Sequence, residues 1–229
     1  MRQLPLGVEL GVSLRFETFV EGRSAAAVEA LRRLADGTGA APVWIYGPPG
    51  SGKSHLLQAT CARAGDAGRS TAWLPLALVK DEGPGILDGF EALDLVALDD
   101  LEAVAGQPAW ESALFTLYNG LAERRAGLAC AAAAAPAATG IRLPDLASRL
   151  AASEVHRLEA LAEPEQAAAL RQRASRRGLE LSAETLAFLT RRAPRDFATL
   201  CRMLDALDTE DVRALAAAGI RADAVGGDG

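Results

Sequence analysis

Apolar residues in this chain come in short, nearly continuous runs separated by longer stretches of mixed character. VWIYG begins at Val43, STAWLPL fills residues 70–76 and LVALDD fills residues 95–100. Residues 53–64 are compatible with helix, and further helical stretches lie between and after the later runs. Short apolar strands alternating with helices predict a parallel sheet covered on both faces. The first two thirds of the chain is therefore expected to be an α/β domain. ACAAAAAPAATG at 129–140 conflicts with a simple reading, because alanine favours helix while Pro136 would end one. A fourth strand near Leu128 continues the alternation and is the expectation adopted. After His156 the period changes. Residues 164–177, 182–192 and 195–207 all show helical spacing, with Gly178 and Pro194 as breaks and Ser182 as an N-cap candidate. That predicts a small all-helical second domain.

Composition narrows the function classes. With 229 residues, half of them apolar and about a quarter charged, the chain can bury a substantial core. A net charge of -6 and a pI near 5.1 give no overall pull toward nucleic acid or an anionic membrane, so any direct DNA contact must be local. Cys61, Cys130 and Cys201 are odd in number, widely spaced and without a C-x-x-C pair, which suggests neither a disulfide framework nor a zinc site. His55 and His156 are too few for a histidine metal cluster. No cationic leader followed by an apolar stretch is visible and no run of about 18 apolar residues occurs, so a cytoplasmic protein without a membrane span is expected.

GPPGSGKS, residues 47–54, fits G-x-x-x-x-G-K-[ST] at every defined position and lies directly between a predicted strand and a predicted helix. In that setting, backbone amides at a helix N-terminus can cradle phosphate oxygens, Lys53 can reach the terminal phosphates and the Ser54 hydroxyl can ligate Mg²⁺. Pro48, Pro49, Gly50, Ser51, Gly52, Lys53, Ser54 and His55 are the expected nucleotide-holding residues, with glycines where side chains would block close backbone approach. LVALDD supplies the companion acids. Asp99, ending an apolar strand, can hold the Mg²⁺ shell together with Ser54, and Asp100 can orient or activate water. Two acids after a strand can equally form a solvated turn; the P-loop before them favours the metal role. LPDLASRL at 143–150 is less specific: Asp145 could cap a short helix ending in Arg149, and a lone arginine there is most often solvated or ion-paired.

Taken together, FETFVEG (16–22), GPPGSGKSHLL, LVALDDLEAVAG, PAWESALFTLYN and LPDLASRL resemble the AAA+ domain of the bacterial replication initiator DnaA, and more closely the shorter regulatory-inactivator branch of that family. The likeness runs from Gln3 to about Asp208. It implies an AAA+ P-loop core with a parallel sheet at 16–160, a helical lid at 161–220, a clamp-binding peptide at 1–15 and a disordered tail at 221–229. No helix-turn-helix domain follows the lid, so the resemblance implies a partner of the initiator rather than the initiator. It also gives meaning to MRQLPLGV: Gln3, Leu4 and Leu6 match a peptide that docks in the apolar pocket of the DNA polymerase III sliding clamp, with Gly7 where a bulky apolar residue would anchor better. A disordered tail with chance leucines is the bland alternative. Arg149 matches the arginine that projects into a neighbouring subunit's nucleotide, a role worth about 10³ to 10⁵ in rate in such fingers.

Two positions depart from the family pattern. The polar residue expected at the end of the fourth strand falls among residues 131–134, all alanine, and the lid arginine falls on Ala198, with Arg195 and Arg202 on the same helix face as substitutes. Nucleotide binding is expected to survive these changes, and efficient hydrolysis by the chain's own site is not. The bound group is then ADP or ATP with Mg²⁺, acting as a structural ligand. The resemblance thus implies a negative regulator that docks on the DNA-loaded clamp and stimulates ATP hydrolysis by DnaA through Arg149, more an activator of its partner's ATPase than an enzyme itself. DNA is then met mainly through partners, and self-association is compatible with the family. The rivals are an independent P-loop ATPase such as a helicase loader or clamp-loader-like subunit, and a pure clamp–initiator adaptor. Arg171, Arg173, Arg176, Arg177, Arg191 and Arg192 would make a basic patch, but interleaved Glu165, Glu180 and Glu184 and the lack of aromatics favour a solvated helical surface.

Overall fold

The computed structural model describes residues 14–39 and 41–175. The peptide at Gln3, Leu4 and Leu6 and the lid residues beyond Ser175, including Arg195, Ala198, Cys201 and Arg202, lie outside the described residues. Five strands form one fully parallel sheet: β1 (Val43–Tyr46), β2 (Thr71–Pro75), β3 (Leu95–Asp99), β4 (Gly127–Ala132) and β5 (Glu154–Arg157), in the order β2-β3-β4-β1-β5. The helices are α1 (Ala25–Ala35), α2 (Lys53–Asp66), the single turn α3 (Leu76–Val79), α4 (Pro108–Arg124), α5 (Pro144–Ala151) and α6 (Glu163–Ser175).

Each sheet face is covered by its own apolar layer, as a parallel sheet requires. On one face α1 presents Ala27, Val28, Leu31, Leu34 and Ala35, the spacing of a helix with one buried stripe. They join Leu56 and Leu57 of α2 and meet Val43, Ile45, Leu95, Ala97, Ala129 and Ala131 from the strands. On the other face Trp44, Leu98 and Cys130 pack with Trp110, Leu114, Leu117 and Leu121 of α4 and with Leu146 and Leu150 of α5. Full burial of each valine, leucine or isoleucine among them contributes about 1.5 to 3 kcal/mol.

The alanine-rich run is a strand, as the alternation required. β4 is buried along its whole length between β3 and β1, so pairing on both sides overrides alanine's helical preference. Its small side chains admit close helices: a Cβ on Gly127 would stand 3.3 Å from Leu34 Cδ1 and 3.2 Å from Leu95 Cδ1. β5 has no counterpart among the predicted strands. EVHR is an edge strand of alternating intermediate and exposed positions, and it contains no apolar run to betray it. α1 was likewise not singled out by pattern.

Short expectations shift at their ends. The helix from Lys53 runs on to Asp66, the second strand is Thr71–Pro75, and Asp100 stands just past β3. Asp145 is not a cap. The residue before α5 is Leu143, with no side-chain capping bond, and Asp145 lies in the first turn where an acid suits the positive end of the helix. α5 also continues two residues past Arg149. Cys61 and Cys130 are free and buried, and burial pushes both thiols up to about 12, so neither is reactive near neutrality. Among the described residues no helix is long and apolar enough to cross a membrane.

Candidate functional site: a P-loop and a remote arginine

β1 delivers the chain at Gly47 into the loop that precedes α2. Gly47 donates to Ala132 O at 3.4 Å, and Ser51 donates to Pro48 O at 3.2 Å, closing the turn. Gly50 (φ +79°) and Gly52 (φ +90°) lie in the left-handed region that favours glycine. Gly47 is needed for space instead, because a Cβ there would stand 2.4 Å from Leu158 O. Pro48, Pro49 and Gly50 are exposed, and a Cβ on Gly50 would meet nothing within 4 Å. The loop therefore turns open backbone toward solvent at the start of a 14-residue helix. Lys53 Nζ donates to Gly47 O at 2.8 Å and to Pro48 O at 3.2 Å, which fixes the ammonium over the loop.

Asp99 at the end of β3 is 1% exposed, and Ser54 of α2 lies near its carboxylate. Burial pushes the Asp99 carboxyl above its usual 3.8, and the charge of Asp100 adds to that. The nearby Ser54 hydroxyl, the Asp100 N–H at 3.1 Å from Asp99 Oδ1 and Lys53 pull the other way. Asp100 has φ +53°, ψ +49°, a left-handed conformation that aspartate adopts more readily than most residues. The two acids are thus divided in role, one buried against Ser54 and one turned out of the strand.

These residues fit a nucleotide carrying Mg²⁺. The buried Ser51 hydroxyl has no hydrogen-bond partner within the loop, the Gly50 backbone faces open space, and the oxygens of Ser54 and Asp99 lie near each other, two ligands of the kind a hard cation takes. His55 behaves differently from its loop neighbours. Its ring Nε2 lies 2.9 Å from Arg15 O and 3.0 Å from Thr18 Oγ1, and Phe19 meets its ring edge-on at 5.4 Å. The side chain ties the FETFVEG segment to the first turn of α2. The same segment crosses the loop: a Cβ on Gly52 would stand 2.5 Å from Phe19 Cε2. Beyond Phe19, residues 21–24 and 159–165 enclose a cavity of about 250 Å³ lined by Glu21, Arg23, Ser24, Glu159, Leu161 and Glu165, among others.

At the end of β4, residues 131–134 offer no polar side chain. Ala132 O receives the Gly47 N–H, Ala133 N–H donates to Glu102 Oε1 at 3.1 Å, and Ala134 O accepts from Trp44 Nε1 at 3.1 Å. Their backbones are used, while nothing projects toward the loop to hold a water.

Arg149 is not brought to the P-loop. α5 leads into the first residue of β5, which pairs with Val43 at the start of β1, whereas the loop leaves the far end of β1 after Tyr46. Arg149 therefore stands toward the end of the sheet opposite Lys53, Ser54, Asp99 and Asp100. It is exposed, and its Cζ lies 5.2 Å from the Phe115 ring centre and 5.4 Å from that of Tyr118. Sequence reasoning missed Glu111 altogether. Although only 2% exposed, it accepts from the N–H groups of Gly106 (2.6 Å), Arg142 (3.0 Å) and Leu143 (2.7 Å). The available signal was its place beside the apolar stripe of α4, formed by Trp110, Leu114, Leu117 and Leu121.

The fold and the loop define a class: a P-loop protein of the AAA+ type with a parallel core sheet and a helical lid domain. A family profile described as "Hda, lid domain" matches residues 163–216, one described as "Bacterial DnaA ATPAse domain" matches residues 10–72, and one described as "RNA helicase" matches residues 43–123. Domain III of the Thermotoga maritima replication initiation protein DnaA superposes with a TM-score of 0.70 at 21% identity, over 92% of this chain and 98% of that one. AMPPCP-bound DnaA from Aquifex aeolicus gives 0.67 at 22% identity over 91% and 70% of the two chains. The replication initiator DnaA bound to AMPPCP and single-stranded DNA gives 0.68 at 21% identity over 91% and 69%. The chain thus shares the fold of the DnaA AAA+ domain, and its matched stretches are similar to the DnaA ATPase domain and to the Hda lid domain.

Proposed function

We propose that this chain is a nucleotide-bound negative regulator of replication initiation, which stimulates ATP hydrolysis by the initiator DnaA in trans. The observation that carries this reading is the place of Arg149, an exposed guanidinium at the sheet end opposite the chain's own P-loop. A cation so placed is remote from its own nucleotide site and free to meet one on a docked neighbour. There it adds positive charge as water attacks the γ-phosphorus and the bond to the β-phosphate oxygen breaks, giving ADP, inorganic phosphate and a proton.

The chain's own site would hold ADP or ATP through the 47–54 loop amides and Lys53, with Mg²⁺ on Ser54 and Asp99 and the base in the cavity between residues 21–24 and 159–165. When bound, the nucleotide supplies phosphate charge that satisfies the Ser51 hydroxyl and the loop amides. Because residues 131–134 project no polar side chain, Asp100 is left as the near acid able to orient water, and turnover at this site is slow. The ligand then serves as a structural link between core and lid, with ADP suited to the resting state. Gln3, Leu4 and Leu6 would tether the chain to the polymerase III sliding clamp, so that inactivation follows clamp loading and DNA is approached through partners.

Phosphate release from ATP-loaded initiator, measured with DNA-loaded clamp and this chain as wild type or Arg149→Ala, tests the reading. Acceleration by the wild type and its loss in Arg149→Ala is expected. Equal acceleration by both would remove Arg149 from the mechanism, and acceleration by neither would remove the trans role.

A further inference from the structure

We infer that one face of α4, formed by Glu111, Phe115 and Tyr118, is a positioning device that aims Arg149 at a partner's anionic group. The inference rests on the trans role proposed for Arg149. The three residues are spaced by four and then three, so they share a helix face. Glu111 accepts from the backbone N–H groups of Arg142 and Leu143, the two residues that lead into α5. Four and seven residues past Glu111, the rings of Phe115 and Tyr118 lie 5.2 and 5.4 Å from Arg149 Cζ, which is itself seven residues past Arg142. Both ends of the stretch 142–149 are thereby attached to one face of one helix, and α4 acts as a ruler for the arginine.

The kind of contact decides what the device is for. Among the described residues, Arg149 pairs with no carboxylate and its guanidinium donates to no acceptor, although five other arginines, Arg15, Arg23, Arg32, Arg33 and Arg63, pair with carboxylates near the surface. A carboxylate would fix the guanidinium but also neutralise it and occupy its donors. Aromatic faces hold the cation by their quadrupole and leave its N–H groups available to an incoming anion. The contact thus restricts the rotamers of a long side chain in advance of docking while keeping its full charge for a phosphoryl group.

The test compares wild type, Phe115→Leu, Tyr118→Leu, Tyr118→Phe and Arg149→Ala in initiator phosphate release with DNA-loaded clamp. The Arg149 Nε–Hε resonance of the nucleotide-bound chain is followed in parallel for its ring-current shift. Leucine keeps the apolar packing of both half-buried sites and phenylalanine keeps the π face. Expected is a loss of about two- to fivefold in maximal stimulated rate for each leucine variant, the range of an exposed cation–π contact. Half-saturation should be little changed, Tyr118→Phe should stay near wild type, and the leucine variants should lose the ring-current shift. Leucine variants at the wild-type rate beside an inactive Arg149→Ala would overturn the positioning role alone. An active Arg149→Ala would overturn the trans role on which it rests, whatever the resonance shows.

Discussion

Asp99 is a carboxylate held where burial disfavours its charge. Burial raises its carboxyl, so the folded chain binds that proton more tightly than the unfolded chain does. A raised folded value means that the group's favourable contribution is complete below its unfolded value near 3.8 and is lost as pH rises through the folded value. At neutral pH, the ionised carboxylate beside the negative charge of Asp100 therefore costs stability, a cost that the Mg²⁺ of the proposed site would offset. Asp99→Asn should raise the melting temperature of the nucleotide-free protein at pH 7, with little gain near pH 4. It should also cut the extra stabilisation given by Mg²⁺ with nucleotide at least tenfold in apparent affinity, or about 1.4 kcal/mol. Calorimetry with and without Mg²⁺-ADP checks both signs together. A destabilised nucleotide-free variant would show that the polar groups around Asp99 outweigh desolvation.

Among elements, α4 and α5 are joined by a contact that pattern cannot reveal. Removing the Glu111 carboxylate leaves the buried N–H groups of Gly106, Arg142 and Leu143 without their acceptor, and Glu111→Ala should destabilise the fold by about 3 kcal/mol. Equilibrium urea unfolding measures it, and a cost below about 1 kcal/mol would mean that solvent replaces the carboxylate. The strands β1, β2 and β3 were legible because each is an apolar run bounded by turn residues. The P-loop was legible because its spacing is a chemical requirement of the phosphates it holds. β4 followed from the alternation rather than from its own residues, whose helical preference is reversed by pairing on both sides. β5 was illegible because an edge strand needs no apolar run; its Glu154 is engaged instead by Arg33 at 3.0 Å and His156 at 3.0 Å. Glu111 was hidden for the opposite reason. A carboxylate whose partners are backbone amides 5 and 31 residues away leaves no pairing signature in side-chain types. Arg149 was placed by resemblance alone, and only the strand register shows that it stands away from its own P-loop.

At the scale of the whole molecule, a net charge of -6 offers little long-range attraction to DNA, so the proposed function has the chain reach DNA through partners. In the proposed function a short tether would suffice: docking Gln3, Leu4 and Leu6 on a clamp already encircling DNA would turn a bimolecular search into a local one. Gln3→Ala together with Leu4→Ala should abolish co-elution with the clamp. It should also lower clamp-dependent stimulation of the initiator by about 10² or more, the scale of lost effective concentration, while the melting temperature stays unchanged. Stimulation that persists at the wild-type level would assign the tether elsewhere. The central claim is that the phosphate released belongs to the partner. The most direct measurement is single-turnover release with γ-labelled ATP placed on the initiator alone or on this chain alone, for wild type and Arg149→Ala. The account predicts that label on the initiator is released fast with wild type and slowly with Arg149→Ala, while label on this chain stays bound in both. Fast release of label carried by this chain would contradict it, and would make the protein an ATPase in its own right.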